Sequence, residues 1–249
     1  MQSALDQFRI SIGRVRDLIS LHNSVKAQAT GALDSSDMLR AALVLAVSAL
    51  DYYVHEVVTL GMLEIHRGQR SEPRSSSNTT QSAFSRFQVS LGGARQDRLT
   101  AIDIANWLEN EIQQSQGHEF LQQSYTLSSL IPAISNSVLG KLNSTSWLEN
   151  EIRERLGYQS FQQADKVADA IRYISDKKLW DEVSVKMTKP AKDIKQELNS
   201  IVDRRNKIAH EADIDPTFNI GDRWNIDEVI VGNAVNFIET LVESIHQVL

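Results

Sequence analysis

The sequence contains no cysteine. That excludes disulfides, thiolate metal sites and a cysteine nucleophile, and it accords with a reducing cytoplasm. Proline and glycine are scarce, 4 and 11 in 249 residues. So few breakers favour long helices over a β-sandwich with many tight turns. A basic excess is missing too: the formal net charge is −6, unlike that of a protein whose whole surface coats nucleic acid. Any handling of RNA would need a local basic site. Long hydrophobic runs are absent; the longest, Ala41 to Leu50, is too short to span a bilayer. The opening MQSALDQFRISIGRVRDL lacks the apolar segment and cleavage site of a signal peptide. The expectation is a soluble, cytoplasmic protein with no membrane attachment.

Several catalytic signatures are also missing. There is no His-Glu-x-x-His pair, and the acidic residues show no ligand spacing, so neither a metal nor a cofactor is expected. Gly92-Gly93 lacks the strand, spacing and lysine of a phosphate-binding loop. Ser75 to Ser77 lie in a polar loop without a companion base, and no zinc finger or RNA-recognition motif is present.

What is present is helical periodicity, with 41% hydrophobic residues to build a core. Leu5, Phe8, Ile12, Val15, Leu18 and Ile19 recur at three- and four-residue spacing, predicting a helix from Ala4 to about Lys26. After a break at TGALDSSD, Ser35 or Ser36 is placed to cap a helix from about Asp37 to His66, with Asp37 at its positive end. Its middle, LRAALVLAVSALDYYVHEVV, is apolar almost all round, which predicts the central, most buried helix. Arg67 to Thr80 reads as loop, and about 81–180 as an insertion of shorter helices. Thr188 is placed to cap a helix starting near Pro190 and ending near Ala212; Asp227 and Glu228 open the last. The prediction is a single all-α domain over 1–249, a bundle of long N- and C-terminal helices with that insertion.

The insertion contains an echo. Trp107-Leu-Glu-Asn-Glu-Ile112 recurs as Trp147-Leu-Glu-Asn-Glu-Ile152, each followed at matching distance by a glycine and a Gln-Gln pair. Two copies are too few for a solenoid. The tryptophans are expected to be core anchors, and the echo is assigned no chemistry.

The segment densest in chemistry is Asp203-Arg204-Arg205-Asn206-Lys207-Ile208-Ala209-His210-Glu211, at the end of a predicted helix where only Ile208 and Ala209 are expected to face inward. It belongs to a lysine- and arginine-rich stretch that includes Lys186, Lys189, Lys192 and Lys195, diluted by Asp193, Glu197 and Asp203. Most of those lysines fit a solvated face with ion pairs. His210 could serve simply as a C-terminal helix cap, and Arg204 and Arg205 as ion-pair partners of Asp203 and Glu211. Asp51 and His55 share a face of the apolar helix, as a polar lining for a site or as a hydrogen-bonded pair holding helices in register. His22, His66, His118 and His246 are expected at ordinary surface or boundary positions.

The Arg-Asn-Lys-Ile-Ala-His-Glu string resembles the HEPN superfamily, helical-bundle proteins whose signature is Arg, a polar residue, then His a few positions on. AVSALDYYVHEVV, with Ser48, Asp51 and His55, is similar to the first long helix of those domains, and the helix after Trp224 to their last. GYQSFQQADKVADAI looks like the RiboL-PSP-HEPN subgroup, named for its link to RNA-ligase and phosphatase-type repair proteins. The resemblance implies metal-independent endoribonuclease action on RNA in defence, toxin–antitoxin or processing settings. It implies a homodimer that brings two motifs into one cleft, and a possible antitoxin or regulatory partner. Some members only bind, so a non-catalytic dimeric module holding RNA, a nucleotide or a protein is the alternative.

For that reaction, His210 is the candidate acid or base, since imidazole titrates near neutral pH. Arg205 is the candidate phosphate clamp, because its planar fork meets two oxygens at once. Asn206, four residues before His210, could orient it; Arg204 and Lys207 are candidate substrate contacts, and Asp51 and His55 supporting residues. Arg205 and His210, five apart, stand about 140° apart around a straight helix. A wrapped arginine, a loosened helix end or partners from two subunits would each bring the groups together.

Overall fold

A computed structural model describes residues 1–28, 34–74, 108–217 (except 111, 115, 123, 125 and 144) and 220–249. The chain divides into two compact units, residues 1–84 with 159–249, and residues 85–158. The architecture is an all-α bundle; among the described residues the only β-pairing is an isolated antiparallel bridge between Ile214 and Arg223.

Among the described residues the first unit holds six helices: α1 (Gln2–Gln28), α2 (Ser36–His66), α5 (Ala164–Ile171), α6 (Leu179–Met187), α7 (Ala191–Glu211) and α8 (Glu228–Val248). The second holds α3 (Leu127–Asn143) and α4 (Ser146–Gly157), with a short 3-10 turn at Phe120–Gln122. The second copy of the echo forms α4, which buries Leu148, Ile152 and Leu156, while Trp147 is half-buried. Trp107, Gly92-Gly93 and Ser75 to Ser77 lie outside the described residues.

As its composition predicts, α2 is central, packing against α1, α5, α7 and α8. Leu39, Leu43, Val47, Leu50, Val54 and Val58 are all at most 2% exposed. By length and hydropathy α2 would also suffice to cross a membrane, which the run-length argument missed; 56% of its most apolar window is buried inside the protein. Ion pairs give the helix directions. The Met1 amine meets Glu64, so α1 is antiparallel to α2. Arg9 meets Glu243, Arg16 meets Glu239 and Lys26 meets Glu228, so α1 is antiparallel to α8 as well.

Two predicted caps are placed differently. Thr188 ends α6 in the left-handed region (φ 49°), and Pro190 opens α7. Ser35 makes no cap bond; its hydroxyl lies 3.0 Å from His22 Nδ1. His22 is therefore no surface residue: it is 4% exposed, because it fastens the α1–α2 connection. Asp227 does cap α8 as predicted, accepting from the Ile230 N–H at 2.8 Å.

Glu228 follows that cap. The Lys26 ammonium, 2.5 Å away, a backbone N–H and the nearby His22 hold its carboxyl at about 2, below its ordinary 4.5. A depressed carboxylate stabilises above its unfolded pKa and loses that contribution as pH falls through the folded value. The stability difference between wild type and Glu228→Gln should thus be full above about pH 4.5, shrink below it and vanish near pH 2. The side chain is 28% exposed, so solvent screening keeps the effect modest. Thermal melts of both proteins across that range would measure it, and a difference that grew toward pH 2 would contradict it.

Gly61 marks a close approach. A Cβ there would lie 2.7 Å from Ile174 Cγ2 and 3.0 Å from its Cβ, and Ile174 is 2% exposed. Overpacking of this kind costs about 1–3 kcal/mol, against roughly 1 kcal/mol of helix propensity gained from alanine. Gly61→Ala should be net destabilising in urea unfolding; a stabilised variant would show that Ile174 yields freely.

Candidate functional site at the end of α7

α7 buries Ile194, Leu198 and Val202 at four-residue intervals. Continued at helical spacing, that stripe reaches Arg205 and then Ala209. The core stops first: Arg205 is half-buried, while Ala209 and His210 are exposed. Ala209, expected to face inward, is therefore on the exposed part of the last turn. Ile208 is half-buried.

The seven candidate residues fall into three groups. Arg205 and Asn206 are joined: Arg205 Nη1 donates to Asn206 Oδ1 at 3.0 Å. Arg205 Nε is enclosed and has no partner among the described residues. Asn206 thus engages the arginine, and the His210 ring makes no hydrogen bond among the described residues. His210 is exposed on the outermost turn, on the same side of the helix as Asn206.

Arg204 and Lys207 turn to the other side. Arg204 Nη2 donates to the Asp213 carboxylate at 2.8 Å and to the carbonyls of Trp224 and Asn225 at 3.1 and 3.2 Å. Burial draws the Arg204 guanidinium down from its usual pKa, with Asp213 acting in the opposite sense. Lys207 Nζ lies 4.6 Å above the Trp224 ring, a cation–π arrangement.

Asp51 and His55 lie elsewhere. Asp51 accepts from the Phe161 N–H at 2.6 Å and from Gln162 Nε2 at 3.0 Å. His55 Nε2 is 3.7 Å from Asp51, too far for a hydrogen bond, and its ring packs on Phe161 with centroids 4.6 Å apart. The pair is about one-fifth exposed and anchors the entry to α5. Asn199 accepts from the Ala164 N–H in the same region, roughly 10 Å along α7 from Asn206 by helical rise. Two lysines of the basic stretch are neutralised, Lys189 by Glu197 and Lys195 by Asp165.

The sequence reading missed Arg40 and Asp213. Asp213 is 0% exposed, and its Oδ2 receives Arg40 Nε at 2.7 Å together with Arg204. Arg40 also reaches the Trp224 carbonyl at 3.0 Å and Ser36 at 2.7 Å. A signal existed for Arg40, the one charge between Asp37 and Asp51 in an otherwise apolar helix; none singled out Asp213. α7 ends without glycine. Ala212 (φ 52°) and Asp213 (φ 59°) are both left-handed, at about 1–2 kcal/mol each. The Asp213 N–H closes the helix on the Lys207 carbonyl at 3.0 Å. Residues 213–215 and 222–224 then pair, with Asp215 N–H to Asp222 O and Trp224 N–H to Asp213 O both 2.9 Å.

A groove of about 330 Å³ on the far flank of α7 is lined by Leu43, Glu197, Ile201, Arg204, Ile230 and Ala234. It is mainly apolar and does not include His210. The chemistry-bearing groups are on the exposed end of the helix instead: one imidazole, one partly enclosed guanidinium and the amide between them.

Comparison with curated proteins and with solved structures found no match. The family description RiboL-PSP-HEPN matches residues 10–249, which take in most of α1, all of α2, the motif and the closing helix. HEPN-type domains have nuclease-like or RNA-related roles. On a match of that extent, the chain belongs to the RiboL-PSP-HEPN family.

Proposed function

We propose that this protein is a metal-independent endoribonuclease, with Arg205 and His210 at the centre of its site. The observation that carries the reading is an exposed His210 five residues from Arg205, whose guanidinium is only partly engaged, at the exposed end of α7. The substrate supplies its own nucleophile. A 2′-oxygen bonds to the adjacent phosphorus, its proton passes to a base, and the bond to the 5′-oxygen breaks as that oxygen is protonated. His210 moves the proton, and Arg205 holds the non-bridging oxygens, where its fork matches the developing charge. Asn206 orients Arg205, and Lys207 stays engaged over the Trp224 ring on the other side of the helix. Arg204 is occupied internally and contributes structure.

One imidazole cannot be base and acid in the same step. In a homodimer with two motifs facing one cleft, one His210 removes the proton and the other supplies it. The setting proposed is cytoplasmic, in defence, toxin–antitoxin or RNA processing, with an antitoxin or regulatory protein as a possible partner class. The test is incubation of purified protein with end-labelled single-stranded RNA and total tRNA in EDTA. Cleavage leaving 2′,3′-cyclic phosphate ends, absent from His210→Ala, is expected. Equal cleavage by both proteins would discard the assignment. A wild type that binds RNA without cutting it would leave a binding module in its place.

A further inference from the structure

The geometry points to Asp213 as a positioning residue: clamped between Arg40 and Arg204, it holds the end of α7 so that His210 keeps one orientation relative to Arg205. This rests on the reading of Arg205 and His210 given above. Three observations carry it. First, a fully buried carboxylate receives guanidinium groups from two different helices, and both arginines also bond the Trp224 carbonyl. Burying such a cluster adds little net stability over an apolar replacement, so stability alone does not account for it. Second, the backbone two and three residues after His210 is left-handed at Ala212 and Asp213 without glycine. Strain of that kind persists where the surroundings over-determine it. Here the surroundings are the Asp213 clamp, the Asp213–Lys207 backbone bond and the pairing of 213–215 with 222–224. Third, the clamp selects between two adjacent arginines. Asp213 takes Arg204 inward, while Arg205, about 100° further round the helix, has Asn206 as its side-chain partner. Arg40 comes from outside the segment, so the clamp ties the motif to the central helix and does more than close a local turn.

Asp213→Asn keeps the shape and removes the charge; Arg40→Lys keeps the charge but loses the fork that spans Asp213 and the Trp224 carbonyl. Tyr53→Phe, which loses the contact to His246 at 3.2 Å, serves as a stability control away from the motif. The readouts are the ring resonances of His210 by NMR, assigned against His210→Gln, and the steady-state cleavage of single-stranded RNA. Both are measured where each variant is fully folded. In the two clamp variants the His210 resonances should shift or split, and kcat should fall at least about 10-fold with KM within about twofold, as expected when a reacting group is displaced. The control should move neither. Folded clamp variants with wild-type His210 resonances and wild-type kcat would overturn the proposal, as would a control that moves both readouts equally. If Asp213→Asn does not fold, Arg40→Lys decides. A wild type that cleaves no RNA would refute the nuclease reading alone, because the His210 resonances still report whether the clamp positions the ring.

Discussion

His210→Ala is expected to lower RNA cleavage by roughly 10²–10⁴-fold, the usual contribution of a positioned general acid or base. Its stability should stay within about 0.5 kcal/mol of wild type, because an exposed ring with no hydrogen bond among the described residues takes little with it. That combination separates the catalytic assignment from the helix-cap one. A C-terminal cap would cost a few tenths of a kcal/mol to about 1 kcal/mol in stability and leave cleavage intact. Arg205→Ala should lose about 10²–10³-fold, as removal of a charge-stabilising donor does. Arg205→Lys should recover little of it, since an ammonium cannot reproduce the planar fork. Cleavage rates with defined single-stranded RNA in EDTA, beside thermal melts, provide both readouts. A His210→Ala protein that kept half of the wild-type rate would end the assignment.

Phe8→Ala should be the most damaging single change to the bundle. Phe8 is 0% exposed and meets Tyr53 edge-on, with ring centroids 5.9 Å apart at 61°. It stands where α1 packs against α2, and α8 packs against both. Removing such a ring costs about 3–5 kcal/mol, through lost transfer free energy and the cavity left behind. At about 2–4 °C per kcal/mol for a chain of this size, the melting temperature should fall by roughly 6–20 °C. Ile10→Ala, on the same helix but 53% exposed, is the comparison and should change little. A Phe8→Ala cost below about 1 kcal/mol in urea unfolding would mean that α1 is not integral to the core.

Much of the fold was legible because helical periodicity and burial are encoded locally. The apolar stripe at Leu5, Phe8, Ile12 and Val15 is the buried face of α1, and the near-uniformly apolar stretch before Val58 is the buried centre of α2. The Asp227 cap was readable from one side chain beside a new apolar run. Caps that depend on distant partners were not. Ser35 is drawn to His22 across the α1–α2 connection, and Thr188 is set by the end of the preceding helix. In the candidate site, the dense polar string lies on the last turns of α7, and the spacing showed that Arg205 and His210 diverge around the helix.

The sequence alone therefore determined the all-α class, the central helix and the segment that bears the motif, because each follows from side chains a few residues apart. Only the tertiary structure decided which of two adjacent arginines is drawn into the buried cluster. Arg204 and Arg205 are the same residue type in the same helical turn. They part because a buried Asp213, Arg40 from another helix and the carbonyls of Trp224 and Asn225 converge on one of them. No local pattern encodes that convergence: it joins groups as far as 184 residues apart, as Arg40 and Trp224 are, and it exists only once the helices have packed.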